Sequence, residues 1–146
     1  MPTAAKLVGA ISFTFLAFII STMIIPLMPE GTKAEYHWVL NCIVALVCGW
    51  KIMGPRGMGT RLEALTGGIT TAIVAYLGAT FLHAGTKMVM LSLRKIYHGP
   101  VEAVKAVFEI GFEWTTFIAT PATVSSLIVG GMVCGWLAWI AGRKWG

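Results

Sequence analysis

Charge is scarce in this sequence. Asp, Glu, Lys and Arg make up 12% of its 146 residues, against roughly 25% in a typical soluble domain. So few ionised groups cannot cover a globular surface, which excludes an ordinary water-soluble fold. Acids are the rarer sign, six against eleven Lys and Arg, for a net charge of +5. The bases stand at the ends of apolar runs and are not interleaved with base-stacking aromatics. Nucleic acid is therefore not an expected partner; positive-inside bias and anionic lipid headgroups account for the excess.

Cysteine is also sparse. Cys42, Cys48 and Cys134 form no C-x-x-C pair and lie in apolar runs, which excludes a disulfide framework and reads as packing. The segment "KIMGPRGMGTR" is rich in glycine but lacks the order of a phosphate-cradling loop and has no strand before it. There is no Ser–His–Asp pattern, no zinc motif and no C-x-x-C-H. His37, His98 and Met23, Met28, Met88 and Met90 are the residues that invite a reading as haem or copper ligands. These follow no repeated motif, and methionine in apolar helices is usually filler. An enzyme is therefore not expected, nor a cofactor or bound metal. Glycine- or proline-broken spans at matching positions of two halves, common in transporters, are missing as well. Four helices offer little room for a private transport path, so a homo-oligomer or a larger membrane-protein complex would be needed to build one.

What the chain does have is apolar length: 57% of residues are hydrophobic and the mean hydropathy is +0.80. A ~30 Å hydrocarbon core needs about 20 apolar residues at 1.5 Å per residue. The charge-free run 7–25 meets that length. It is too long for a signal-peptide core and no A-x-A-like site follows, so it reads as an uncleaved first span ended by Pro26 and Pro29. The second span covers 37–53, with Tyr36, Trp38 and Trp50 suited to the two interfaces. The third covers 63–86 and extends to 97, carrying Lys87, Arg94 and Lys95. A helix from 63 to 97 would measure ~52 Å, so it is expected to project beyond the bilayer. The fourth covers 121–141 and ends at Arg143 and Lys144. The expected fold is all-α: a single transmembrane domain over 1–146, with four transmembrane helices and an extramembrane helical hairpin between the third and fourth. Lys6, the 51–61 loop and the C-terminus then share one side, taken as cytoplasmic, of a multi-pass protein in the lipid bilayer.

The hairpin holds the polar residues of most interest. "HGP" at 98–100 reads as the turn, with Gly99 free to adopt a left-handed cap and Pro100 opening the next helix. In the amphipathic stretch 87–118, spacings of seven and four put Glu102, Glu109 and Glu113 on one face, bordered by Lys105. A turn centred on Gly99 sets residue 87 opposite 111, between Glu109 and Glu113. Lys87 is therefore expected to pair with one or both. The pair either locks the hairpin or serves an ion, proton or oxyanion. His83, one turn earlier, is expected to join it near Thr115 or Thr116. Two glutamates and a histidine resemble a metal set, but the ammonium of Lys87 would repel the ion. On the last helix Ser126, Gly130, Cys134, Ala138 and Gly142 recur every fourth residue, and Gly131 and Gly135 form a G-x-x-x-G beside them. Gly67, Gly68, Ala72, Ala75 and Ala79 give the third helix a matching small face.

Taken as a set, "MPTAAKLVGA", "PLMPEGT", "GWKIMGPRG", "YHGPVEAVKAVFEIGFEW" and "ATPATVSSLIVGG" resemble the TrgA family. These are small membrane proteins of purple and marine alphaproteobacteria associated with tellurite resistance. The likeness covers essentially the whole chain. It implies the bacterial inner membrane and a contribution to tellurite or oxyanion tolerance, and it supplies no catalytic residues. The alternative expectation, from the small helix faces and interfacial tryptophans, is a structural accessory subunit of a respiratory or photosynthetic complex.

Overall fold

In a computed structural model, residues 3–27, 34–94 and 99–145 are described, and those residues are all helical apart from short turns. The elements are α1 (Ala4–Ile24), α2 (Ala34–Cys48), a three-residue α3 (Gly54–Arg56), α4 (Arg61–Leu93), α5 (Pro100–Ile118) and α6 (Pro121–Trp145). Four helical stretches are long and apolar enough to cross a bilayer: Ala4–Leu27, Tyr36–Arg56, Arg61–Leu93 and Pro121–Trp145. This is a multi-pass membrane protein.

Proline and glycine set the ends. α1 tightens into a 3-10 turn, Ile25–Leu27, at Pro26. α2 does not stop at Cys48 but widens into a π turn, Gly49–Met53, with Gly54 N–H donating to the Gly49 carbonyl five residues back. Pro55 lacks the N–H that would continue the ladder, and the wider turn absorbs the misfit before α3. Thr60 caps α4 in a reciprocal box. Its hydroxyl accepts Glu63 N–H at 3.3 Å, while its own N–H donates to Glu63 Oε2 at 3.0 Å, which satisfies two otherwise orphaned donors. Gly99 is extended at φ −167°, ψ 163° and caps the start of α5, so the expected left-handed cap there is not found. His98, Lys95 and Tyr97 lie outside the described residues. Thr120 separates α5 from α6, its hydroxyl accepting Thr123 N–H at 3.2 Å.

The four spans close into a ring in which α1 packs on α2 and α6, and α4 on α6 and α2. α5 lies outside it, chiefly against α4. Small residues make the interior. Ala5, Ala10, Ala45, Ala64, Ala72 and Ala138 are buried, and only Phe13 and Met53 are large apolar side chains buried essentially completely among the described residues. The bulky side chains point out, with Ile11 61%, Phe15 65% and Val129 60% exposed. A soluble core is built the other way round. Between α4 and α6 the backbones nearly touch: a Cβ on Gly68 would strike the Gly131 carbonyl oxygen, and one on Gly135 the Ala64 oxygen. The same closeness joins α1 to the π turn, where a Cβ on Gly49 would lie 2.6 Å from the Gly9 oxygen.

Candidate functional site

Polar side chains gather where α5 packs beside α1, α2 and α4. Asn41 sits at the centre. Its Nδ2 donates to Ser21 Oγ of α1 at 2.9 Å, and its Oδ1 lies 2.9 Å from His83 Nε2 of α4. An amide oxygen only accepts, so this arrangement puts the proton of His83 on Nε2. Ser21 is buried, and the chain Ser21–Asn41–His83 therefore ties three spans together. His37, one turn before Asn41 on α2, packs against His83 with ring centroids 4.2 Å apart and planes tilted by 31°. On α5 the Trp114 ring is nearly parallel to His37, 9° apart at 5.8 Å. His37 Nδ1 is buried without a hydrogen-bond partner. Tyr76 adds a further tie, its hydroxyl donating to the Thr115 carbonyl at 2.9 Å.

These groups form one end of a cavity of about 70 Å³. Its other walls are apolar, from Phe13, Leu16, Ile20, Ala72 and Leu127. That volume exceeds the ~10–15 Å³ needed for one water. No Asp, Glu, Lys or Arg lines it. An unpaired anion would lose its hydration here without a compensating charge, at a cost of several kcal/mol, so the chamber suits small neutral molecules that accept or donate hydrogen bonds. His83 lies 22 residues beyond Arg61 on α4, ~33 Å along the axis. The polar end thus sits near one boundary of a ~30 Å hydrocarbon core, and the apolar end reaches inward.

The expected Lys87 pair is not formed. Lys87 Nζ instead lies 5.3 Å from the centre of the Trp114 ring, and Glu109 pairs with Lys105, one turn earlier on α5, at 3.6 Å. Lys87, Glu109 and Glu113 are all exposed. The reason is register. Gly111 sits beside Phe81 and Ala84, three to six residues up α4 from the position the sequence assigns it. His83 likewise turns to Asn41 rather than to Thr115 or Thr116, whose hydroxyls donate to Gly111 and Phe112 of their own helix at 2.7 and 3.1 Å. The small residues of α6 lie at other contacts: Gly131 and Gly135 on α4, Gly130 against Leu16 of α1. Cys134 donates to the Ser12 carbonyl at 3.5 Å, Ser126 stands 3.9 Å from Met23 Sδ, and Ala138 is fully buried.

The sequence reading sets His37 aside and gives Asn41 no role. The signal for both is their spacing. They stand one turn apart on the same face of an apolar span, and a lone amide in a span needs a partner. Among the described residues no group of three or more His, Cys, Asp or Glu is placed to hold a metal. Compared with models of protein families, with curated proteins and with solved structures, the chain finds no match.

Proposed function

We propose that this chain is an inner-membrane protein of the TrgA type that contributes to tellurite and oxyanion tolerance without catalysing a reaction, and that it acts through the polar chamber. The observation that carries the reading is the Ser21–Asn41–His83 chain with His37 packed against it. Polar and ionisable groups packed between spans, here near one boundary of the core, are costly to keep there, and such groups are candidates for function. The chamber's lack of charge favours protection of membrane chemistry over passage of the oxyanion itself, because a dehydrated anion finds no counter-charge there. The resemblance in sequence supports the phenotype.

Orientation follows from the bases. Arg61 and Arg143 meet on Trp139, and the Lys6 side chain lies against Gly54, so α1, α4 and α6 put their basic ends together. Positive-inside bias makes that end cytoplasmic. α4, with 33 residues, is ~50 Å long, ~20 Å more than the hydrocarbon core. Its outer part and α5 form the hairpin on the far side, with Glu102, Lys105, Glu109 and Glu113 exposed along one stripe.

Deletion and complementation test the reading. Loss of the gene should raise tellurite sensitivity, and His83→Ala should fail to restore tolerance at normal membrane abundance. Unchanged sensitivity on deletion would overturn it. A second reading, an accessory subunit of a respiratory or photosynthetic complex, draws on α5, whose edge leaves Val101, Val104, Phe108 and Phe112 between 57% and 79% exposed. Purification from native membranes in mild detergent decides between them. A constant large partner supports the second reading, and a chain that always emerges alone removes it.

A further inference from the structure

The basic end of the bundle contains a second, open pocket of about 710 Å³, lined by Met58, Gly59, Thr60, Arg61, Glu63, Trp139 and Arg143. Trp139 packs against the buried core and is thereby fixed. Arg61, at the start of α4, holds its guanidinium carbon 4.9 Å from the centre of the Trp139 ring, and Arg143, in the last turn of α6, holds its own at 5.2 Å. Two like charges share one ring, and at an exposed site the indole stabilises each only weakly.

The pocket's one carboxylate does not pair directly with either. Glu63 accepts the Thr60 N–H within the cap of α4, and among the described residues neither arginine forms an ion pair with it or with any other acid within 4.0 Å. Both guanidinium forks therefore present unpaired donors in a geometry that matches a tetrahedral oxyanion. The pocket lies where one membrane-spanning helix begins and another ends, and Trp139 and the exposed Met58 add apolar surface to its lining.

We propose that Arg61 and Arg143, held on Trp139, bind the phosphate of an anionic glycerophospholipid. A free phosphate ion shares that chemistry, but the apolar part of the lining and the position at the ends of two spans favour the lipid. The site is separate from the polar chamber and stands whether or not the chamber acts in tolerance.

Native mass spectrometry of the purified, delipidated full chain tests it with added phosphatidylglycerol, phosphatidylcholine and inorganic phosphate. The expected result is selective retention of phosphatidylglycerol. Arg143→Gln and Arg61→Gln should each lower that retention by about tenfold, the effect of one charge-assisted contact. Lys51→Gln, which removes an exposed base of the same end outside the pocket, should leave it unchanged. Arg143→Lys, which keeps the charge but loses the fork, should retain less lipid than wild type. Equal loss on Lys51→Gln would mean general attraction to a basic surface and would overturn the site. So would wild-type selectivity in both glutamine variants. Binding of inorganic phosphate with no preference between the lipids would overturn the lipid assignment.

Discussion

Asn41 shows how one side chain can organise a membrane interior. It is the middle of a three-residue chain and is bonded on both sides, whereas Ser21 is bonded by Asn41 alone. Asn41→Ala should therefore leave two polar groups unsatisfied and destabilise the protein by about 1–3 kcal/mol. Ser21→Ala should cost less. Thermal unfolding in detergent measures both, and equal losses would remove Asn41 from the centre. Lys87 carries the opposite lesson. Its type and position in the sequence invite a pairing with Glu109 that the folded register does not provide. A double-mutant cycle on Lys87 and Glu109 should give a coupling within about 0.3 kcal/mol of zero. The cycle on Lys105 and Glu109 should give the small coupling of an exposed i,i+4 pair, about 0.3–0.5 kcal/mol. A larger value for Lys87 would contradict the register described here.

At the scale of elements, the ends were legible and the registers were not. Pro26, Pro100 and Pro121 mark boundaries because proline lacks a donor wherever it falls. The pairing of α4 with α5 depends on which residue turns the chain. Gly99 begins α5 instead of centring the turn, and each residue of slip rotates a helix face by about 100°. That is enough to carry Lys87 away from both glutamates. The π turn at 49–53 left no pattern of its own, since it answers to Pro55 and to the close approach of Gly9 rather than to a local preference. The glycine contact between α4 and α6 makes a contrast that tests element packing. Gly68→Ala pushes a methyl into the Gly131 carbonyl, whereas Gly85, on the same helix, has nothing within 4 Å of an added Cβ. The first should cost about 1–3 kcal/mol. The second should be neutral or stabilising by up to about 1 kcal/mol from helix propensity. Thermal shifts of the same sign and size would argue against the contact.

For the whole molecule, the distribution of side-chain size matters most. Alanine, glycine and threonine fill most of the centre, joined by Phe13, Ile20, Ile24 and Ile118, while many other isoleucines, phenylalanines and valines face outward. No burial of apolar area drives helices together in lipid, so close backbone contact and dispersion must hold them. The shortage of charge and the long apolar runs announced this solvent from sequence alone. The chamber was not legible, because its lining is drawn from five helices and exists only once they are assembled. It belongs to the same principle: Ser21, Asn41 and His83, packed between the spans, find their partners among themselves.

In a four-span protein lipid, not water, covers the outward side chains, and site-directed spin labelling measures that most directly. In a background with Cys42, Cys48 and Cys134 replaced, labels at Phe15→Cys, Ile43→Cys and Val129→Cys in reconstituted bilayers should collide readily with oxygen and hardly at all with a water-soluble nickel chelate. Ready access of the chelate to all three positions would contradict four membrane-crossing helices.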